Sequence, residues 1–431
     1  MMTYPETIDY LYAQLPVFHR IGKVAFKANL DNTLAICEHL GNPQNKFKSI
    51  HVAGTNGKGS TSHLLAAILQ SAGYKTGLYT SPHLKSYTER MKINGQPIPE
   101  EKVVQFVADN QSFIEELKPS FFEMTVGLAF DYFANEQVDI AIIEVGLGGR
   151  LDSTNIIIPE ISIITNISFD HTDILGDTLP KIASEKAGII KPQIPVVISE
   201  RQAETDWVFK EKANLENAPI YFAEDFLKIE QSELVDSKLK LNVFDKEQNS
   251  SVEIISQLSG NYQLKNILGV LQATVVLNKL GYNIPERAML IGFENVLNLT
   301  NLKGRWQKLA ESPLVICDTA HNIGGIKEIL LSISTMKFAQ LWLILGFVSD
   351  KDIDGILSIL PKTAKYIFCN SNTPRALDAE LLRIRANNFS LEGIVIQDVN
   401  EALRFAKENA NGDDLIYVGG STFVVAELND L

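Results

Sequence analysis

Cysteine is scarce in this chain: Cys37, Cys317 and Cys369 lie far apart among 431 residues, and no two form a CxxC pair. An odd, scattered set excludes a disulfide framework and a cysteine-built zinc site, and it fits a reducing compartment, expected here to be the cytoplasm. Long apolar runs are missing as well. No stretch reaches the ~18–20 residues that a membrane-crossing helix needs. The opening MMTYPETIDYLYAQ carries Glu6 and Asp9 and has no basic start before an apolar run, so it does not read as a secretory signal. Basic charge is in deficit: 39 Lys and Arg against 52 Asp and Glu give a formal net charge of −13. Such a surface repels a nucleic-acid backbone or an anionic membrane overall, yet it leaves room for a local phosphate pocket and a small anionic substrate.

What is present reads as globular and bipartite. Apolar residues make up 45% and charged residues 21%, ordinary values for packed domains. Since single cores stop growing near ~250–300 residues, the length predicts two domains. Residues 1–46 read as helical, with Leu11, Leu15 and Phe18 spaced for one face, up to a polar break at GNPQNK. From Phe47 the apolar runs KSIHVAG, YKTGLYTS, VDIAIIEVG, EISIITNI and IPVVIS alternate with amphipathic segments such as 60–72 and 102–117, the pattern of a parallel sheet covered by helices. Residues 219–258 differ. There IYFAE, FLKIEQ, KLKLNVFD and SVEIISQL are short and alternating, as in a small antiparallel subsheet. A helical run, QLKNILGVLQATVVLNKLG, follows. NVLNLTNLKGRWQ has no clear period and reads as a hinge, and then LVICD, QLWLILGF, KYIFC, GIVIQ and DLIYVGG repeat at βα spacing. The expected division is residues 1–298, a hinge at 299–304, and residues 305–431.

The chemistry concentrates at strand ends. Gly54-Thr55-Asn56-Gly57-Lys58-Gly59-Ser60 joins a strand to a helix. Glycines there let backbone N–H groups turn toward an anion, the helix start adds favourable partial charge, and Lys58 can reach outer phosphates. The loop departs from G-x-x-x-x-G-K-[ST], because Gly59 stands between the lysine and the hydroxyl. Glu144 ends the strand VDIAIIEVG, where a carboxylate can hold Mg²⁺ beside phosphates. GLGGRLDSTN presents Arg150 and Asp152 on a glycine turn, and NISFDHTDILG places Asp170, His171 and Asp173 just past another strand.

Taken in order, HVAGTNGKGST, SPHL (81–84), FFEMT (121–125), EVGLGGRLDSTN (144–155), FDHTDILGDTL (169–179), EKAGIIK (185–191), GRWQ (304–307), DTAHN (318–322) and SDKD (349–352) resemble the folylpolyglutamate synthases of the Mur-ligase superfamily, over essentially the whole chain. The resemblance implies an N-terminal P-loop α/β ATPase domain with a small antiparallel subsheet and a C-terminal Rossmann-like α/β domain. It implies ATP and two Mg²⁺ ions: Ser81, Glu144 and His171 on the first, His171 and a carbamylated Lys186 on the second. A lysine ammonium facing Mg²⁺ would be repelled, whereas a carbamate offers two anionic oxygens suited to a hard cation. Unmodified, Lys186 could instead pair with Glu185 or a nearby aspartate. By the same resemblance Asn266 and Arg305 contact the nucleotide, Asp318 and His321 line the cleft, Lys351 and Ser421 fall in glutamate-site loops, and Phe121, Phe122 and Thr125 meet the pterin-bearing substrate or pack in the core. Thr319 departs from the small residue more usual in D-G/A-A-H-N.

The implied activity is ligation of L-glutamate to dihydropteroate and to the γ-carboxyl of folates through an acyl phosphate, with Lys58, His171 and Lys186 at its centre. The expected protein is a monomer with no nucleic-acid or membrane partner. Four alternatives stand beside it: folylpolyglutamate synthesis alone, a cell-wall UDP-muramoyl amino-acid ligase, a P-loop NTPase switch without ligase output, and a catalytically dead structural relative. About 50 residues precede the phosphate loop, which disfavours the separate UDP-binding domain of the second, and the presence of Lys58, Glu144, His171 and Lys186 disfavours the last.

Overall fold

The computed structural model describes residues 2–15 and 29–431; Phe18, read above as part of a helical face, lies outside them. Two compact units emerge. The first takes in the described residues up to Ser168 together with Thr172–Ser259 and Gln263–Asn301; the second takes in Leu302–Leu431 and two tripeptides from earlier in the chain, Phe169–His171 and Gly260–Tyr262.

In the first unit eight strands form one sheet in the order β4-β3-β2-β5-β1-β6-β7-β8. They are β1 (Lys48–Ala53), β2 (Thr76–Tyr79), β3 (Met91–Ile93), β4 (Gln96–Pro97), β5 (Ile140–Glu144), β6 (Ile161–Ile164), β7 (Val196–Ile198) and β8 (Ile220–Phe222). From β2 to β8 every neighbouring pair is parallel, and β5 and β6 are buried along their whole length. That burial explains why they read as mostly apolar runs rather than as alternation, broken only by Ser162 and by Glu144 at the end of β5. The helix Lys58–Ser71 is buried from Gly59 to Leu69, and so carries little amphipathic signal.

Two readings change. IYFAE was expected in the antiparallel subsheet, yet Ile220–Phe222 pairs parallel with β7 and closes the main sheet. Three residues are too few for alternation to distinguish the two settings. The hairpin β3–β4 was not anticipated; it turns at Asn94-Gly95, both with positive φ (48° and 75°), a pair that favours tight hairpins. The subsheet itself consists of β9 (Leu227–Val235), β10 (Lys238–Asp245) and β11 (Ser250–Ser256), antiparallel throughout. Alternating burial along β10, with Leu239, Leu241 and Val243 inward, is the signature that made it legible.

The second unit holds a six-stranded sheet in the order β12-β13-β17-β14-β15-β16: β12 (Gln307–Glu311), β13 (Leu314–Cys317), β14 (Leu341–Leu345), β15 (Lys365–Phe368), β16 (Gly393–Val395) and β17 (Leu415–Gly419). All pairs are parallel except β12 with β13. The five expected strands are there. The sixth, β12, falls partly within the stretch read as a hinge. All three cysteines are free and buried, and among the described residues no helix is long and apolar enough to cross a membrane.

Candidate functional site

The glycine loop follows β1, between the ends of β5 and β6, where open parallel sheets bind ligands. Its backbone is tied to the segment after β6: Thr55 N donates to Asn166 O at 2.8 Å, Asn56 N to Asn166 Oδ1 at 2.9 Å, and Ser168 N to Thr55 Oγ1 at 3.0 Å. Gly57 caps the helix Lys58–Ser71 with φ +86° and offers no side chain of its own, the kind of helix start whose N–H groups suit an anion. Only glycine fits: a Cβ there would lie 2.3 Å from Asn266 Oδ1. Lys58 Nζ donates to Gly54 O and Thr55 O, both at 3.1 Å. The Ser60 hydroxyl accepts from Gln263 Nε2 at 3.1 Å, and Gln263 Oε1 accepts from Asn266 Nδ2 at 2.8 Å. The loop and the start of the helix Gln263–Lys279 thus form one hydrogen-bonded piece.

Glu144 closes β5 at 4% exposure, and its Oε2 accepts from Ser81 N at 3.0 Å, so these two expected metal ligands are brought together. After Glu144 the chain turns and packs on the helix Leu179–Ala187. Gly149 permits the approach, since a Cβ on it would lie 2.7 Å from Glu185 O and 3.0 Å from Lys186 Cα. Arg150 N donates to Glu185 O at 2.8 Å, and the Arg150 guanidinium pairs with Glu185 Oε1 at 2.8 Å. Glu185, the partner suggested for an unmodified Lys186, is therefore engaged by Arg150. Lys186 itself is buried.

Asp152 is not presented to a substrate as the sequence suggested. It is buried, and it accepts from Leu147 N (2.8 Å), Thr154 N (3.0 Å) and Thr154 Oγ1 (2.5 Å). Burial pushes its carboxyl above the usual range despite these donors. The Thr154 hydroxyl, donating to Asp152, must accept from His51 Nε2 at 2.9 Å, which puts the imidazole proton on Nε2 and leaves buried Nδ1 without a partner. Burial, reinforced by the charge of Lys191, pulls the His51 pKa down to about 3. The unfolded chain takes up this proton near ~6.5, whereas the folded one refuses it until about 3. Stability therefore falls as pH drops through that window. Relative to His51→Gln, which keeps a donor for Thr154, the native chain should lose about 1.4 kcal/mol more per pH unit between ~6 and ~4. Urea unfolding at stepped pH measures it, and parallel slopes for the two proteins would refute the assignment.

Of the three aromatic-segment residues, two are occupied by the core. Phe121 is 3% exposed, stacks on Tyr12 at 5.0 Å and lies under the Arg90 guanidinium at 5.5 Å. Thr125 Oγ1 donates to Phe121 O at 2.6 Å and accepts from Tyr87 OH at 3.2 Å. Phe122 is half-buried, with its ring against Gly146, just past Glu144.

In the second unit Asp170 is a hub. Lys351 Nζ pairs with its Oδ1, His321 Nε2 lies 3.3 Å and Asn322 Nδ2 3.1 Å from its Oδ2, and His171 N donates to Oδ1 at 2.9 Å. Burial alone would raise this carboxyl, but the His321 hydrogen bond and the charges of Lys351, His171 and His321 hold it well below the ordinary range. His171 sits at φ +48°, a left-handed conformation that non-glycine residues keep only where the surroundings enforce it. Lys351, expected in a glutamate-site loop, is committed to Asp170 here. Asp318 is likewise saturated, accepting from Trp306 N (2.7 Å), Tyr262 OH (2.6 Å) and Ala320 N (2.8 Å). It holds the turn that carries Arg305, whose guanidinium meets the Thr319 hydroxyl. Ser421 caps the helix Thr422–Glu427 through Val424 N at 3.1 Å, a role open to any serine before an apolar run.

The sequence names Asp170 at a strand end without giving it a role, and it does not single out Asn166 or Gln263. Asn166 and Asp170 lie inside the quoted runs, but nothing in residue type distinguishes a loop clamp from a loop passenger. Gln263 had no signal beyond its place four residues ahead of Ile267 on a buried helix.

Residues 52–274 match the Mur ligase middle domain, and residues 304–422 match the Mur ligase, glutamate ligase domain. Together these matches define the class, a two-part Mur-type ligase. A dihydrofolate synthase/folylpolyglutamate synthase of Bacillus subtilis is 32% identical over 417 residues, 94% of this chain and 95% of its own. A folylpolyglutamate synthase of Lacticaseibacillus casei is 32% identical over 387 residues, 87% of each chain. Among solved structures, Escherichia coli FolC in complex with DHPP and ADP superposes with a TM-score of 0.86 at 28% identity, over 99% of this chain and 96% of that one. The chain belongs to the dihydrofolate synthase/folylpolyglutamate synthase family.

Proposed function

We propose that this chain is an ATP-dependent ligase that adds L-glutamate to dihydropteroate and to the γ-carboxyl of folates. The observation that carries the reading is the glycine-capped helix start at Gly57, with Lys58 beside it, in a chain of this family. A carboxylate does not acylate an amine at neutral pH because oxide is a poor leaving group. In the proposed reaction the acceptor's carboxylate attacks the γ-phosphorus of ATP in line, giving an acyl phosphate and ADP. The loop N–H groups and Lys58 neutralise charge growing on the phosphoryl oxygens. The amine of glutamate then attacks the acyl carbon and phosphate departs.

The donor set suits Mg²⁺: a hydroxyl at Ser81, a carboxylate at Glu144 whose Oε2 already lies beside Ser81, the His171 imidazole, and Lys186 as a carbamate. Bound there, Mg²⁺ would supply Lewis-acid stabilisation of the phosphoryl oxygens. Asn266 and Arg305 are proposed to bind the nucleotide, with Asp318 and His321 ordering the segment around Arg305. Phe122 and Arg150, on either side of the glycine turn, are proposed to face the pterin-bearing acceptor. The unit of function is proposed to be a cytoplasmic monomer.

Purified protein given ATP, Mg²⁺ and glutamate, with dihydropteroate or tetrahydrofolate in parallel, tests this. Phosphate release that needs glutamate and either acceptor is expected. Release with tetrahydrofolate alone would restrict the activity to folylpolyglutamate synthesis, and release indifferent to glutamate and acceptor would overturn ligation in favour of an NTPase. Within the same assay Gly57→Ala carries its own expectation: left-handed φ costs alanine about 1–2 kcal/mol, and the new methyl displaces Asn266. The affinity for a non-hydrolysable ATP analogue should fall at least about tenfold. Calorimetric titration giving native affinity would refute it.

A further inference from the structure

Gln263 opens the helix Gln263–Lys279 with 0% exposure. Its carboxamide is engaged at both ends, by the Ser60 hydroxyl at 3.1 Å and by Asn266 Nδ2 at 2.8 Å. Asn266 in turn crosses Gly57 so closely that a side chain there would have to displace it. A primary amide can be turned over by 180° with almost no change in shape, so the direction in which Asn266 presents its donor and acceptor is decided by its hydrogen-bond partners. Gln263 is such a partner, and it is itself referenced to the phosphate loop through Ser60.

We infer that Gln263 is a positioning residue for nucleotide binding: it fixes the orientation of the Asn266 carboxamide against the loop turn at Gly57. The inference rests on the proposed nucleotide role of Asn266. The arrangement leaves the second Nδ2 hydrogen and the Oδ1 of Asn266 for the ligand, because the first hydrogen is given to Gln263. Without the Gln263 amide, Asn266 would sample both orientations, and part of each binding event would be spent on choosing one.

A coupled set of variants tests this. Gln263→Met keeps the length of the side chain and removes both bonds. It should weaken a non-hydrolysable ATP analogue about tenfold by calorimetry and raise the KM for ATP by a similar factor, with the KM for the pterin acceptor unchanged. In an Asn266→Ala background the same substitution should change nucleotide affinity by less than about twofold, the non-additivity of two residues acting as one. Ser60→Ala, which frees Gln263 from its reference and favours the helix, should show the same dependence on Asn266 and serves if Gln263→Met does not fold. Equal losses with and without Asn266, or native affinity in Gln263→Met, would overturn the inference. If Asn266→Ala alone binds the analogue normally, the inference also fails; Lys58→Ala then reports separately on whether the phosphate loop is the nucleotide site.

Discussion

Lys58→Ala should lower glutamate- and acceptor-dependent phosphate release by about 10²–10³-fold, the usual effect of removing one preorganised group that stabilises transition-state charge. The ammonium rests on the carbonyls of Gly54 and Thr55, so it stands over the loop before any ligand arrives. It needs only to exchange neutral acceptors for anionic ones. Its bonds to the Gly54 and Thr55 carbonyls are ordinary hydrogen bonds at a half-buried position, so the variant should melt within a few degrees of the native chain. A loss in rate matched by wholesale unfolding would assign Lys58 to structure, and a rate within a few-fold of native would remove the loop from the reaction.

The second large effect is expected at Lys186. Lys186→Ala should reduce ligation by at least about 10²-fold, since several kcal/mol of metal-borne charge stabilisation would go with it. Short carboxylic acids such as formate or acetate should restore part of the rate by putting an anionic oxygen pair where the carbamate stood. Arginine cannot be carbamylated, so Lys186→Arg should be as inactive as the alanine variant. Native rates in either variant would exclude the role, and inactivity that no carboxylic acid relieves would argue against the carbamate. The surroundings favour a group held in place. The helix bearing Lys186 is pressed onto the turn after Glu144 through Gly149, and the neighbouring Glu185 is held by Arg150.

The architecture was largely legible because buried parallel strands and βα spacing leave strong patterns, and β5 and β6 carry them in mostly apolar runs. Short elements were not. β8 and the strands of the β3–β4 hairpin are two or three residues long, below the length at which period means anything; Asn94-Gly95 is a hairpin signal that was passed over. In the site, residue type was readable and orientation was not. A carboxylate at a strand end looks the same in sequence whether it faces a ligand or caps a turn, and Asp152 and Asp318 turned out to serve neighbouring backbone amides. Ser421 and Asp152 each precede a helical turn, a capping signal that could have foretold their roles. Thr125 and Phe121 were undecidable, because a buried aromatic helix face is written with the same letters as a substrate pocket.

The membership of Phe169–His171 and Gly260–Tyr262 in the second unit has a practical outcome for anyone cutting the gene. A fragment begun at Leu302 would carry Asp318 without the Tyr262 hydroxyl, though still with the Trp306 and Ala320 amides, and Lys351 without the Asp170 carboxylate. A fragment of the last third should therefore be less stable than the same segment in the whole chain, and a design that keeps residues 169–171 and 260–262 with it retains those partners.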